Sequence, residues 1–194
     1  MAGFWEAHKR FGKLPWKDIV QPAIDLAANG FMPAPILVKS IHSMEQRFDG
    51  KTNFNEYFEH ISSTEVFKQP ELAQTLGRIA EFGADDFYRG HTAALIVEQM
   101  KQSNGLISAE DLDQYSAIWR EPVRANWRGY EVVSAPPPSS GGFAIVQLLK
   151  MKDYLAEHFT NVEHNSAQYI HLIAEMEKRV FADRAEYLGD PDFF

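Results

Sequence analysis

The spacing of apolar residues changes near Tyr115, and this change constrains the fold more than any other feature of the chain. Up to that point apolar residues recur at helical spacing, whereas VRANWRGYEVV alternates apolar and polar residues around an Arg-Gly pair. The alternation predicts a β-hairpin with strands Val123–Trp127 and Tyr130–Ser134. Two strands alone are marginal in water, because their edges and one face stay unpaired. We therefore expect the hairpin to border a larger sheet that this sequence does not supply.

The surrounding pattern predicts an α+β fold, a mainly helical fragment with one β-hairpin. Residues 1–114 are predicted to form a helical region, and residues 115–142 the hairpin with a Pro/Ser/Gly connector. Residues 143–194 are predicted to form two further helices, and together the three parts make one incomplete domain. The segment Asp49–Lys68 fits neither period and is interpreted as an irregular connection.

Start and stop signals set the expected helix boundaries. A helix is predicted to begin at Pro15, restart at Pro22 and stop at Asn29-Gly30. Further boundary signals are a start at Pro70, a stop at Gly83 and two candidate capping boxes, Ser108 with Asp111 and Asn165 with Gln168. The aromatic residues of the first helices are interpreted as core packing rather than as a ligand cage; they are Phe4, Trp5, Phe11 and Trp16.

Composition excludes several classes of function. The 194 residues carry a formal net charge of −8 and no long basic run, which argues against non-specific nucleic-acid binding. Without cysteine the chain has no disulfide, thiolate nucleophile or Cys-based zinc site. No apolar run approaches the roughly 20 residues of a membrane span. The first residues lack the pattern of a signal peptide, so either none exists or the sequence begins after it.

The connector SAPPPSSGGF contains the most unusual residues, and three interpretations compete for Ser139 and Ser140. A nucleophile elbow requires G-x-S-x-G, but no glycine precedes these serines at that spacing. The favoured interpretation is that the prolines leave the sheet extended and one serine caps the following helix. A serine nucleophile and an anion held at the helix N-terminus stay as alternatives.

Acidic and histidine side chains near the C-terminus raise the question of a metal site. His171, Glu175, Arg179 and Asp183 lie four apart on one predicted helical face. The alternating charge favours a ladder of ion pairs over a metal site. The later acidic residues lack the spacing and the glycine of a calcium loop, and Asp190-Pro191-Asp192 is interpreted as a turn. No metal ligand, cofactor-binding residue or catalytic residue is assigned.

Five segments in series carry a resemblance to a known family. They are LPWKDIVQPAIDLAANGF, ELAQTLGRIAEFGADDFYRG, GLISAEDLDQY, REPVRANWRGYEVVSAPPPSSGG and HLIAEMEKRVFADRAEYLGDPDF. In this order and with these gaps they resemble the large subunit of the γ-glutamyltranspeptidase family. The PPPSSGG run and the ADR-x-x-YLGDPDF ending are the most specific, whereas residues 48–68 depart from the family pattern.

The resemblance implies an N-terminal-nucleophile hydrolase with an αββα sandwich. Such a protein is a precursor that cuts itself into a large and a small subunit. The new N-terminal threonine attacks γ-glutamyl amides such as glutathione, and water, an amino acid or a peptide takes the glutamyl group. No cofactor or metal is implied. The threonine belongs to the small subunit, so no role is assigned to the threonines of this chain, which are Thr52, Thr64, Thr75, Thr92 and Thr160.

Partners and location follow from the same resemblance. The expected partners are the rest of the large subunit, the small catalytic subunit and a γ-glutamyl substrate, and the expected location is periplasmic or extracellular. Self-association through the exposed hairpin is a further expectation. The alternatives are a cephalosporin-acylase-like or polyglutamate-processing relative, and a non-catalytic helical scaffold or binding module. The fragment alone is predicted to be inactive.

Overall fold

The computed structural model describes residues 1–193, which form ten α-helices, a 3-10 turn and one two-stranded sheet. The elements are α1 (Ala2–Phe11), α2 (Trp16–Asn29), α3 (Pro35–Phe48), α4 (Phe54–Phe58), α5 (Pro70–Phe82), α6 (Ala84–Arg89), α7 (His91–Gln102), α8 (Ala109–Gln114), β1 (Val123–Trp127), β2 (Tyr130–Ser134), α9 (Gly141–Tyr154), the 3-10 turn Ala156–Phe159 and α10 (Ala167–Tyr187). The predicted mainly helical fold with one hairpin is therefore confirmed. Two compact units divide the chain, Met1–Ile118 and a second unit that begins at Trp119.

The first unit is built on the packing of α2 against α5. Small residues on both helices, among them Ala27, Ala73 and Ala80, are buried and let the two backbones approach closely. The indole of Trp16 extends this contact by donating a hydrogen bond to the carbonyl of Ile79 at 2.9 Å. The predicted restart at Pro22 is wrong, because α2 runs through this proline without interruption. Packing against α5 outweighs the single backbone hydrogen bond that proline removes.

An aromatic corner joins α1 to the start of α2. The ring centroids of Trp5 and Trp16 lie 5.1 Å apart in an edge-to-face arrangement. Gly83 lies against the same corner with a left-handed φ of 64°, and a Cβ there would come within 2.7 Å of the Trp5 ring. The core interpretation thus holds for the two tryptophans. It is wrong for Phe4 and Phe11, which are 74% and 65% exposed, because α1 turns only one face toward the unit.

The segment Asp49–Lys68 is more ordered than its sequence suggests. It contains the short helix α4, and the backbones of Phe31 and Phe67 exchange hydrogen bonds of 3.1 and 3.0 Å as an isolated bridge. Phenylalanine rings pack in sequence from the end of α3 to this bridge, with centroids 4.8–6.2 Å apart. The prediction of an irregular connection is wrong for α4. Aromatic contacts between distant residues fix this segment, and no period reveals such contacts.

One of the two predicted capping boxes forms. The Ser108 hydroxyl accepts from the Asp111 amide at 3.1 Å, and the Asp111 carboxylate accepts from the Ser108 amide at 2.8 Å. Hydrogen bonds from Ser108 lower the pKa of Asp111. The predicted box of Asn165 with Gln168 is wrong: Ser166 is the N-cap of α10, and its hydroxyl accepts from the Tyr169 amide. Asn165 has a φ of 60° and lies in the preceding turn.

The second unit places the hairpin beside α9 and α10. The two predicted strands form, and their register pairs Val123 with Ser134 and Trp127 with Tyr130. Helix α9 contacts both strands, and its Gly142 lies so close to β2 that a Cβ would come within 2.3 Å of the Ala135 carbonyl. On α10, Met176 and Val180 are 2% and 1% exposed. None of the helices in residues 1–193 combines the length and the apolar character needed to cross a bilayer.

Candidate functional site

Neither serine of the connector has a side-chain hydrogen bond to a group that could act as a general base. Ser140 occupies the N-cap position of α9, but its side chain makes no capping bond and instead accepts from Nε of Arg184 at 3.0 Å. The Ser139 hydroxyl accepts from the Gly141 amide at 3.4 Å. An arginine stays protonated and cannot take a proton from serine. The prediction that a serine starts the helix is confirmed in position, whereas side-chain capping by Ser140 is wrong.

The predicted ladder of ion pairs along α10 forms only in part, because its two carboxylates bind different partners. Glu175 accepts from Lys178 at 2.7 Å and from Arg179 at 2.9 Å, and these two hydrogen bonds lower the pKa of its carboxyl group. The predicted pair of Glu175 with Arg179 is therefore confirmed. Asp183 instead accepts from the Gln147 amide of α9, so the ladder does not continue. The described residues contain no group of three or more His, Asp or Glu side chains that could hold a metal ion.

The chain beyond α10 forms the predicted turn, and an arginine from before β1 binds it. The Phe193 amide donates to the Asp190 carbonyl at 2.9 Å. Nη2 of Arg120 lies 2.5 Å from Asp192 and 3.7 Å from Asp190. Both carboxylates are therefore used in an ion-pair network that joins the two ends of the second unit.

A buried polar cluster in the first unit escaped sequence reasoning. Asp86 and Thr92 are 5% and 6% exposed, and the threonine hydroxyl donates to the carboxylate. Nη2 of Arg78 donates to Thr92 at 3.2 Å and to Thr75 at 3.0 Å, while its Nε lies 3.4 Å from Asp86. The hydroxyl and its carboxylate partner are both buried and lie within reach of Arg78, so we interpret the cluster as a structural link between α5, α6 and α7. Only the tertiary fold brings these residues together.

The hairpin is the feature best suited to a functional contact. Its two strands make up the only sheet within residues 1–193, so each strand has one open edge. Alternate side chains of both strands are half-buried, and helix α9 contacts both strands. The opposite face is exposed and carries an ion pair of 2.9 Å between Arg124 and Glu131. Open edges of this kind pair readily with another strand.

The chain also exposes more surface than its size requires. Its accessible area is 14041 Å². Two separate compact bodies of the same total mass would expose roughly 11,000 Å². Large apolar side chains contribute to the difference, and Leu106 and Tyr154 are 94% and 90% exposed. The chain therefore exposes about 3,000 Å² more surface than two compact bodies of its mass would.

Known proteins match the chain over its whole length. The family model described as Gamma-glutamyltranspeptidase matches residues 1–194. A glutathione hydrolase proenzyme of Pseudomonas aeruginosa is 56% identical over 191 residues, which are 98% of this chain and 34% of the relative. The glutathione hydrolase proenzyme of Escherichia coli is 39% identical over 200 residues, covering 100% of this chain and 34% of the relative. The chain thus spans about a third of the length of these curated relatives.

A solved structure agrees with this match. Gamma-glutamyltranspeptidase from Pseudomonas nitroreducens, solved in complex with L-DON, superposes with a TM-score of 0.96 at 54% identity. The superposition covers 100% of this chain and 58% of the solved chain. Sequence and fold agree over every described element, and the chain belongs to the gamma-glutamyltranspeptidase family.

Proposed function

We propose that the parent protein of this chain cleaves γ-glutamyl amides such as glutathione and passes the γ-glutamyl group to water, an amino acid or a peptide. The observation that carries this proposal is the 56% identity to a glutathione hydrolase proenzyme across 98% of the chain. Identity at this level supports the same reaction class and the same route of maturation. The cephalosporin-acylase-like and polyglutamate-processing alternatives have less support than glutathione hydrolysis.

The chemistry belongs to a threonine that lies outside this chain. After the precursor cuts itself, the threonine hydroxyl attacks the γ-carbonyl carbon, and its own α-amine takes the proton. Hydrogen-bond donors stabilise the tetrahedral oxyanion, and the leaving amine departs with a proton. Water or an acceptor amine then attacks the acyl-enzyme and releases the threonine. No residue of this chain is assigned to any of these steps.

The chain contributes a scaffold from the large subunit of an αββα enzyme. The matched region covers 34% of the P. aeruginosa proenzyme but 58% of the solved P. nitroreducens chain. This difference is expected if the solved chain is one of two products of self-cleavage. Residues 1–114 would supply helical layers, residues 115–142 the border of the central sheet and residues 143–194 further covering helices. The open hairpin supports the role given to residues 115–142.

Partners and location are part of the same proposal. The remainder of the large subunit and the small catalytic subunit would cover the surplus surface and the open hairpin. The parent would work in the periplasm or outside the cell, without a metal or cofactor.

The test is to express the full-length parent and measure release of a chromogenic amine from a γ-glutamyl anilide. We expect the precursor to split into two chains and to turn over the anilide. Replacing the new N-terminal threonine by alanine should abolish both events. The 194-residue chain alone, assayed beside a buffer blank, should release no amine. A parent that neither splits nor turns over would contradict the proposal and favour the non-catalytic binding module.

A further inference from the structure

An arginine that precedes β1 holds the turn that follows α10. We propose that Arg120 is a positioning residue for the self-cleavage of the parent protein and that it acts through the carboxylates of Asp190 and Asp192. This role rests on the proposed function, because it concerns the cut that makes the threonine the first residue of the small subunit. All three side chains of the contact belong to this chain.

Residues 190–193, which we call the exit turn, are held by two local hydrogen bonds and one arginine. The Phe193 amide donates to the Asp190 carbonyl at 2.9 Å, and the Asp192 amide donates to Oδ1 of Asp190 at 3.1 Å. Nη2 of Arg120 lies 2.5 Å from Oδ2 of Asp192 and 3.7 Å from Oδ1 of Asp190. A single guanidinium nitrogen therefore ties the exit turn to a residue 72 positions earlier in the chain.

The arginine of this contact is more sheltered than two other arginines of the second unit that make ion pairs. The Arg120 side chain is 25% exposed, whereas Arg124 and Arg128, each in an ion pair of 2.9 Å, are 56% and 55% exposed. Water and salt weaken the attraction between exposed charges, so the half-buried arginine holds its partners more firmly. Without Arg120 the two carboxylates of the exit turn would lose the cation that they share.

Each side of the contact belongs to a fixed element. Arg120 lies three positions before the first residue of β1, and Pro122 stiffens the short link between them. The exit turn follows α10, which the buried Met176 and Val180 anchor in the second unit. The direction in which the chain leaves α10 is therefore set by a contact with the start of the hairpin.

This direction matters because of where the cut must lie. In the proposed maturation the cut creates the N-terminus of the small subunit, so the cut bond follows the large subunit in the precursor. The polypeptide that joins α10 to the cut bond therefore passes through the exit turn. Fixing one end of a connecting segment restricts the volume that it samples and raises the effective concentration of the reacting groups.

The step that Arg120 would favour is the attack of the threonine on the bond before it. The hydroxyl oxygen bonds to the preceding carbonyl carbon and gives up its proton, and the carbon–nitrogen bond breaks as the nitrogen takes a proton and becomes the free α-amine. Water then hydrolyses the resulting ester and restores the threonine hydroxyl. Arg120 touches none of these atoms and acts only on the path of the chain that carries them.

The rate at which the full-length precursor splits is the direct measurement. Precursor labelled in a short pulse of cell-free synthesis is followed on gels as the two chains appear. Arg120→Met, which removes the charge and keeps most of the apolar length, should slow splitting about fivefold or more. Arg124→Met is the matched control, and the loss of its exposed ion pair with Glu131 should leave the rate unchanged.

Activity after splitting separates positioning from a general loss of structure. Once split, the Arg120→Met enzyme should cleave a γ-glutamyl anilide with kcat and KM within about twofold of the wild type, because the exit turn acts before catalysis. Asp192→Ala is a milder second variant that decides the question if Arg120→Met does not fold. It should slow splitting to a similar extent, and the double variant should split no more slowly than either single variant.

Four results would overturn the role of Arg120. They are wild-type splitting by the Arg120→Met or Asp192→Ala precursor, equal slowing by Arg124→Met, a loss of kcat as large as the loss of splitting rate, and multiplied effects in the double variant. A wild-type parent that never splits contradicts the proposed function instead. A wild-type parent that splits and turns over the anilide, with variants that split normally, contradicts only the role of Arg120.

Discussion

At the scale of single residues, burial separates structural polar groups from catalytic ones. The cluster of Asp86, Thr92 and Arg78 contains a hydroxyl bonded to a carboxylate, an arrangement that resembles part of a catalytic site. Its threonine donates to the carboxylate and accepts from the guanidinium, so each group is held by another member. A satisfied and inaccessible hydroxyl stabilises the fold and has no route to a substrate.

The substitution Thr92→Val tests this structural role. It keeps the shape of the side chain, but it leaves the Asp86 carboxylate without its hydroxyl donor and Arg78 without one of its two hydroxyl acceptors. We expect a loss of about 1–3 kcal/mol in the free energy of unfolding, measured by urea denaturation of the chain. The conservative variant Thr92→Ser should retain most of this stability. The exposed Thr160, changed to valine, is the matched control, and an equal effect there would contradict the role of the cluster.

At the scale of elements, local conformation sets the sign of the same substitution at different places. Gly129 of the hairpin turn has a φ of 85°, and nothing lies within 4 Å of a Cβ added to it. A Cβ at Gly77 in α5 also meets nothing within 4 Å, but there the backbone is helical. Space is therefore equal at the two positions, and only the backbone differs.

We expect Gly129→Ala to lower the free energy of unfolding by about 1 kcal/mol, because alanine is strained in the left-handed region. Gly77→Ala should raise it by up to about 1 kcal/mol, because alanine is the better helix former. Thermal or urea unfolding of the two variants and of the unsubstituted 194-residue chain measures the sign of each change in the free energy of unfolding. Effects of the same sign would show that contacts, rather than backbone conformation, control these positions.

At the scale of the whole molecule, the chain exposes more surface than two compact units of its mass would. The surplus over two compact units is about 3,000 Å². Its apolar part includes the strongly exposed Phe4, Leu106 and Tyr154.

The isolated chain should therefore bind the dye ANS, which reports exposed apolar surface. In the full-length parent the dye fluorescence per mole of protein should be lower, because the rest of the polypeptide covers the same residues. Fluorescence titration of both proteins at equal molarity checks this. Equal or stronger dye binding by the parent would show that the surface is not an internal interface.

The sequence by itself determined the hairpin, one capping box and two helix ends of the chain. The period of two around residues 128 and 129 predicted the hairpin and the bounds of its strands, and the Ser108 capping box and the Gly30 and Gly83 stops were also correct. These features depend on residues within one turn or one ladder of each other, so spacing is enough to reveal them. The five segments in series likewise indicate the family, because their order and gaps are properties of the sequence itself.

Tertiary structure alone decided the features that depend on contacts between distant residues. Helix α2 continues through Pro22 because it packs against α5 along its length, and aromatic contacts stabilise α4. Asp183 accepts a hydrogen bond from Gln147 and so does not pair within the predicted ladder. The buried cluster of Asp86 and Thr92 and the exposure of Phe4 and Phe11 belong to the same class. Burial and long-range pairing are set by what packs opposite a residue, and the spacing of a sequence does not contain that information.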